Sequence, residues 1–147
     1  MRACFSELGL CISPFFTSGV EGSDIETAER KNAYSMALTV RGVVELFMMV
    51  GREVEVLGWS VAYDERRVRI CGHYAEFEGR GMGKEIKYYS HEIRSFDFTI
   101  IEGKERWTAY RFVRNLYEVW VPRHFERLCE VVDQIPEGFD LGQDGKE

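Results

Sequence analysis

The feature that most constrains the fold is a run of apolar residues in mostly alternate positions, interrupted once by a polar turn. The apolar positions are Val54, Val56, Trp59, Val61, Tyr63, Val68 and Ile70. The turn is residues 64–67, DERR. A period of two is typical of a strand with one buried face. The sequence therefore predicts an antiparallel hairpin at this point.

The same period predicts further strands later in the chain. They cover residues 86–88, 96–100, 107–113 and 116–121. The glycine-rich stretch 79–84, GRGMGK, is predicted to be the loop of a hairpin, because glycine adopts positive φ without steric cost. A phosphate-binding loop is disfavoured there, since Glu85 stands where such a loop carries a hydroxyl.

Residues 36–50, MALTVRGVVELFMMV, fit two periods. As a strand, alternate positions from Met36 onward present a face without polar residues. If the segment is a helix, its apolar stripe includes Phe47 and leaves Leu38 outside. Gly42 then lies in the middle of the helix, where glycine costs about 1 kcal/mol of stability. We favour the strand.

Two helices are predicted with more definite limits. Ser23 and Glu26 have the spacing of a capping box, which predicts a short helix over residues 24–34. Pro122 suits the first turn of a second helix. Its predicted core-facing stripe is Phe125, Leu128, Cys129, Val132 and Ile135.

This order of elements predicts an α+β fold. The chain would form a strongly bent antiparallel sheet or a small barrel of up to seven strands, closed by the C-terminal helix. The predicted organisation is an N-terminal extension over residues 1–35, a barrel domain over 36–135 and an acidic, mobile tail over 136–147.

The strand order and the phrase IKYYSHEIRSFDF, residues 86–98, resemble pleckstrin-homology-type domains, including their bacterial and GRAM relatives. The resemblance covers about residues 36–135. It implies a non-catalytic module that docks proteins or lipid headgroups. Lipid-binding members carry a basic signature at their first hairpin, and here that turn, VGREVEV, holds only Arg52, so the resemblance favours protein partners.

Charge and cysteine usage restrict the partners and the compartment. The formal net charge is −6, whereas nucleic-acid binders normally carry a basic excess. The four cysteines lack zinc-site spacing and are predicted to be reduced thiols of a cytoplasmic protein. No apolar run approaches the ~20 residues of a membrane span. We expect no cofactor, and neither nucleic acid nor lipid as the main partner.

Cys71 and His73 are the only catalytic candidates. Two positions apart on one strand, they would share a face, as a thiolate–imidazole pair requires. Their separation of about 6–7 Å favours the alternative of a core cysteine beside a histidine at the rim. The three histidines lack metal-ligand spacing, so no metal site is predicted.

Basic residues supply the binding candidates. Two clusters are predicted to lie on the hairpin surfaces: Arg66, Arg67 and Arg69, and Arg80, Lys84 and Lys87. A third group interleaves arginines with Trp107 and Tyr110, as in surfaces that stack bases. The alternative is a solvated face whose arginines pair with glutamates.

The sequence therefore predicts a non-enzymatic protein-binding or adaptor module of the cytosol. One alternative is a small acidic inhibitor or immunity-type protein, whose acidic ends would mask a partner's basic surface. The other is a small-molecule-binding or hydrolytic domain that uses a pocket in the barrel, with Cys71 and His73 as its reactive groups. The oligomeric state is left open.

Overall fold

The computed structural model describes residues 4–5, 10–13, 15–20, 24–51, 57–78 and 85–135 of the chain. Their strands are β1 (Cys4–Phe5), β2 (Leu10–Ser13), β3 (Phe16–Val20), β4 (Gly58–Tyr63), β5 (Arg67–Glu78) and β6 (Glu85–Asp97). Their helices are α1 (Ile25–Met49), α2 (Thr108–Asn115) and α3 (Val121–Val132), with a 3₁₀ turn at Ile101–Gly103 and a π-helical turn at Leu116–Trp120. The predicted α+β class and C-terminal helix are confirmed.

The described strands form one mixed sheet in chain order, with β3 to β6 as its four longest members. Neighbours are antiparallel except β3 and β4, which are parallel and joined through α1. Among the described strands β6 pairs only with β5, so the sheet is open. The predicted barrel of up to seven strands is therefore wrong, because residues 36–49 and 108–121 are helical.

Helix α1 shows that the strand favoured for residues 36–50 is wrong. Its buried residues recur mostly three or four positions apart, and they are Ile25, Ala28, Asn32, Met36, Val40, Val43, Val44 and Phe47. Leu38, which the strand would bury, is 58% exposed. The helical period prevails because one continuous stripe can then cover the sheet along the whole length of α1.

The short helix predicted over residues 24–34 is the first part of α1. Its N-cap is Asp24, whose carboxylate accepts a hydrogen bond from the backbone N–H of Thr27 at 3.3 Å. Ser23, the predicted cap, lies outside the described residues. A cap of this kind satisfies one of the free N–H groups of the first helical turn.

Gly42 offers a test of the helical assignment. It is exposed within α1, and a Cβ added there would meet no atom within 4 Å. Gly42→Ala is expected to raise the free energy of unfolding by about 0.5–1 kcal/mol, since glycine loses more backbone entropy in a helix. Gly51→Ala is the control and should destabilise, because φ at Gly51 is +68°. Urea denaturation measures both changes, and destabilisation by Gly42→Ala would argue against a helix there.

The hairpin predicted around residues 64–67 is confirmed as β4 and β5. The Asp64 carboxylate stabilises its turn by accepting hydrogen bonds from the backbone N–H groups of Arg66 and Arg67, at 2.8 and 2.7 Å. These bonds explain why a polar run with a leading aspartate makes a tight reversal at this point.

The hairpin predicted around the glycine-rich stretch is also confirmed in its strands. β5 and β6 are antiparallel, and Glu78 lies opposite Glu85. The connecting residues 79–84 lie outside the described part of the chain. β6 is one strand of 13 residues, where two short strands had been predicted.

The segment 107–121, predicted as two strands, is helical instead. Its inward residues pack on a cluster of sheet residues that includes Val61 and Ile70, and these inward residues are Ala109, Phe112, Val113, Leu116, Trp120 and Val121. Their aromatic and β-branched side chains favour strands locally, but helical spacing places them on one stripe. Pro122 lies in the first turn of α3, as predicted. The π-helical turn directly precedes it, where a proline leaves a helical hydrogen bond unmade.

The stripe predicted for the last helix is displaced from the one that is buried. His124 and Val131 are the buried residues of α3, whereas Phe125 and Val132 are 64% and 52% exposed. The reason is that α3 continues the α2 stripe through Trp120, and this continuation sets which side faces inward. The predicted stripe is therefore wrong at Phe125 and Val132, whereas Leu128 packs against the core as predicted.

Helices cover the sheet on both faces. On β4, Val61 packs with the α2 side and the adjacent Ala62 packs with Ile25 and Ala28 of α1. Successive residues of a strand point to opposite faces, so α1 and α2 lie on opposite sides. The far end of α3 reaches the α1 cluster through Val131.

Candidate functional site

Cys71 and His73 lie on β5, on the sheet face that α1 covers, and both are buried. The shared face is as predicted, but each side chain has a different partner. The Cys71 thiol donates towards Glu29 Oε1 at 3.7 Å. His73 Nε2 is hydrogen-bonded to Ser60 Oγ at 2.8 Å. The two residues therefore do not form a nucleophile–base pair in the described structure.

Their protonation also differs from that of a reactive pair. Burial raises the pKa of the Cys71 thiol to about 11, and the Glu29 carboxylate acts in the same direction. Burial lowers the pKa of the His73 imidazole to about 4. At neutral pH the thiol is protonated and the imidazole is neutral, whereas an activated cysteine needs its thiolate. The pair is part of the polar packing between β5 and α1.

Arg69, one of the predicted binding residues, completes this packing. It forms ion pairs with Glu29 of α1 and with Glu92 of β6, the second with Nε and Oε2 3.0 Å apart. Glu29, the nearer carboxylate, raises the pKa of the Arg69 guanidinium. Arg69 therefore links three elements of the fold.

His124 is a buried histidine that the sequence did not single out. Its ring stacks on Trp120 with centroids 4.4 Å apart. Neither ring nitrogen has a hydrogen-bond partner in the described structure. Burial, and then the charge of Arg127, lower the pKa of His124 to about 4. This environment favours the neutral imidazole.

The two buried histidines predict a loss of stability in mild acid. Their folded pKa values of about 4 lie below the unfolded value of about 6.5. Above pH ~6.5 these histidines are neutral in both the folded and the unfolded state, so they bind the same number of protons in each. As the pH falls from ~6.5 to ~4, the unfolded state gains protons first, so each histidine lowers the free energy of unfolding by up to about 3 kcal/mol.

Urea denaturation between pH 7.5 and 4.5 measures this loss. His124→Phe is expected to remove about half of the slope between pH ~6.5 and ~5, because it removes one of the two buried imidazoles. His91→Gln is the control, since His91 is exposed, and should leave the slope unchanged. An unchanged slope in His124→Phe would contradict the buried neutral histidine.

The other predicted basic residues that the structure describes lie at two separate places, around the start of β5 and on β6. Arg66 pairs with Asp97 at 3.3 Å, and Arg67 pairs with Asp64 at 2.8 Å. Lys87 lies opposite Glu76, which is nine residues, about 30 Å, along β5 from Arg67. Arg80 and Lys84 lie outside the described residues.

A different surface, on α2, brings aromatic and basic side chains together. Trp107, Tyr110, Arg111 and Arg114 follow the spacing i, i+3, i+4 and i+7, so they share one side of a helix. We call these four residues the docking face. Trp107 and Tyr110 are 55% and 61% exposed, with ring centroids 6.3 Å apart in an edge-to-face arrangement. The opposite side of α2 packs on the sheet, so the fold does not need these aromatic rings.

The turn before α2 adds exposed apolar surface and backbone strain. Ile100 and Ile101 are exposed. Ile101 and Glu102 have φ values of 52° and 53°, and Gly103 has 71°. Positive φ is rare for a β-branched residue and costs of the order of 1–3 kcal/mol. Such strain is often found near functional sites, and this turn precedes the docking face in the chain.

A cleft of about 450 Å³ lies beside the docking face, between α2 and strands β5 and β6. It is lined by Ile70, Ile93, Arg94, Lys104, Glu105, Thr108, Arg111 and Phe112. Arg94 Nη2 donates to both Glu105 carboxylate oxygens at 3.1 and 3.0 Å. The Thr108 hydroxyl, and then the charge of Arg94, lower the pKa of Glu105.

Lys104 and Arg111 form no ion pair with any described residue, although their charges also lower the pKa of Glu105. The cations that line the cleft therefore outnumber its one carboxylate. The sequence did not reveal this cleft, because its residues are brought together from separate elements. The only local signal in the sequence is the alternation of basic and aromatic residues near Trp107, in a segment that was predicted to be a strand.

Neither a cluster of metal ligands nor a membrane-spanning helix occurs among the described residues. No group of three histidine, cysteine or carboxylate side chains among them is placed to hold a metal ion. Within the same residues, none of the helices has the length and apolar character needed to span a bilayer.

The family model of a domain of unknown function, DUF7924, matches residues 4–132, which is most of the chain. The chain belongs to the DUF7924 family. No curated protein and no solved structure matches it. The DUF7924 match covers the helices and strands that the structure describes, and it leaves the resemblance to pleckstrin-homology domains a prediction.

Proposed function

We propose that this DUF7924 domain is a non-enzymatic protein-docking module of the cytoplasm that binds its partner through the docking face. The observation that carries the proposal is a helix with two different sides. One side of α2 packs on the sheet, while the other exposes Trp107 and Tyr110 with no role in the core. Tryptophan, tyrosine and arginine dominate the energetic centres of protein interfaces.

The composition around the docking face favours a protein over a nucleic acid. Ile100 and Ile101 add exposed apolar surface that phosphate groups do not contact favourably. Glu118 pairs with Arg114 at 2.9 Å, so the charge of this arginine is already offset. The chain as a whole has a net charge of −6, which disfavours a long phosphate backbone as the partner.

The charge of the docking face indicates what kind of segment it binds. Arg111 and the adjacent Lys104 form no ion pair among the described residues, so they favour acidic side chains. The rings of Trp107 and Tyr110 favour apolar or aromatic side chains. The expected partner is therefore a protein segment in which Asp or Glu stands next to large apolar residues.

The proposed cytoplasmic location rests on the thiols. Cys71 and Cys129 are free, and unpaired cysteines are typical of reducing compartments. A hydrolytic function receives no support from Cys71 and His73, because both are buried and bonded to other groups.

Selection from a random peptide-display library tests the proposal. The full chain serves as bait, and a Trp107→Ala and Tyr110→Ala double variant serves as the matched bait. We expect the full chain to enrich peptides that combine Asp or Glu with aromatic or large apolar residues, and the double variant to lose that enrichment. Equal enrichment by both baits, or selection of basic peptides, would refute the docking face.

A further inference from the structure

We infer that the cleft beside α2 binds a phosphomonoester carried on an aromatic ring, as in a phosphorylated tyrosine side chain. This deepens the proposed docking function and rests on it for the identity of the ligand as part of a protein partner. The inference starts from the charges that line the cleft, which do not balance.

Three cations and one carboxylate line the cleft: Arg94, Lys104, Arg111 and Glu105. Arg94 is occupied by Glu105, whose two carboxylate oxygens accept from the same guanidinium nitrogen. Lys104 and Arg111 act on Glu105 only through their charges, and they form no ion pair with a described carboxylate. The lining therefore keeps a net charge of about +2. A phosphomonoester has nearly two negative charges at neutral pH, so it would balance this net charge, whereas a single carboxylate would not.

The start of α2 adds to the positive potential of the cleft. Thr108, the first residue of α2, lines the wall, and the Thr108 hydroxyl donates to Glu105. The N-cap residue, Trp107, has no side-chain hydrogen bond to the first helical turn. The backbone N–H of Thr108 is bonded to the Glu105 carbonyl, so it is the dipole of α2 that adds to the attraction of Lys104 and Arg111 for an anion.

The uncharged walls of the cleft are apolar. Ile70, Ile93 and Phe112 form them, and the volume of about 450 Å³ exceeds that of a single phosphate group. A ligand that placed only an inorganic anion here would leave these walls in contact with water. An aromatic ring attached to the phosphate would cover these walls. The cationic part of the cleft would then bind the phosphate, and the apolar part would bind the ring.

Small aromatic probes test the cleft without a partner protein. Titration of the full chain with phenyl phosphate, phenylacetate, phenol and inorganic phosphate, followed by amide chemical shifts, measures four affinities. We expect phenyl phosphate to bind at least roughly tenfold more tightly than the other three, because only it has both the dianion and the ring. The largest changes in amide chemical shift should occur at the residues that line the cleft.

Charge variants give opposite expected changes. Lys104→Gln and Arg111→Gln should each weaken phenyl phosphate binding roughly tenfold, whereas Glu105→Gln should strengthen it, because it removes the only negative charge in the cleft. Arg66→Gln is the matched control, since Arg66 is an exposed arginine outside the cleft, and should leave the affinity unchanged. Thermal denaturation verifies that all four variants fold.

The inference fails if phenyl phosphate binding does not saturate, or if Lys104→Gln and Arg111→Gln bind it as the wild type does. Equal binding of phenylacetate would overturn the assignment to phosphate, and equal binding of inorganic phosphate would overturn the role of the ring. Trp107→Ala separates the two proposals: it should weaken peptide binding at least roughly tenfold and leave phenyl phosphate binding within about twofold.

Discussion

Replacing Trp107 with alanine is expected to weaken binding of a selected acidic–aromatic peptide by at least roughly tenfold, because a central tryptophan of an interface typically contributes 2 kcal/mol or more. Trp107 is well placed for this role. The Arg106 guanidinium lies 5.5 Å from its ring centroid, and the Tyr110 ring packs against its edge. These contacts hold the ring in place before a partner binds, which lowers the entropy lost on binding.

The same substitution should leave the free energy of unfolding within about 0.5 kcal/mol of the wild type, because the side chain is largely exposed. Tyr34→Ala is the matched control. Tyr34 is an aromatic residue on a helix and is 70% exposed, but it lies on α1, away from the docking face. Isothermal titration with the peptide measures both variants, and equal losses at Trp107 and Tyr34 would place the contact elsewhere.

The second large effect concerns the folded state. Phe47→Ala is expected to lower the free energy of unfolding by about 3 kcal/mol or more, because it removes a buried aromatic side chain from the core between α1 and the sheet. Phe47 is 5% exposed and packs in the cluster that contains Val44 and Leu57. Leu38→Ala should change stability by less than about 0.5 kcal/mol, because Leu38 is exposed.

These two variants distinguish the helix from the strand that the sequence favoured. In a strand over residues 36–50, Leu38 would lie on the apolar face and Phe47 on the other. The order of the two effects would then be reversed. Urea denaturation of both variants gives the answer, and a larger loss for Leu38→Ala than for Phe47→Ala would contradict helix α1.

The hairpins of the central sheet could be predicted from the sequence because their signals are local. Apolar residues alternate in β4 and β5, and Asp64 caps the turn between them with its own carboxylate. The period and the turn residue agree, and they are enough to specify an antiparallel pair. The pairing of β3 with β4 is parallel and depends on the crossover through α1, so no local sequence pattern could predict it.

The helices were harder to predict because their residues also suit strands. In α1, both periods placed apolar residues on one face, and the choice depended on Leu38 and Phe47. In α2, Phe112 and Val113 have high strand propensity but pack on Ile70 and other sheet residues as part of a helical stripe. Tertiary packing decided both cases, and local propensity could not.

The candidate site, like the fold, could be predicted from the sequence only in part. The interleaving of Trp107 and Tyr110 with arginines was visible in the sequence, and only the spacing i, i+3, i+4, i+7 on a helix makes it one surface. The cleft was not visible, since Arg94 comes from β6 and Arg111 from α2. Conversely, the shared face of Cys71 and His73 was predicted correctly, but their partners Glu29 and Ser60 come from other elements.

Hydroxyl-radical footprinting of the full chain, with and without a selected peptide, tests the central claim most directly. Oxidation rates of Trp107 and Tyr110 should fall several-fold when the peptide is bound, while the rate at the exposed Tyr34 stays constant. Protection of Tyr34 in place of Trp107 and Tyr110, or no protection at any of the three at saturating peptide, would contradict a docking face on α2.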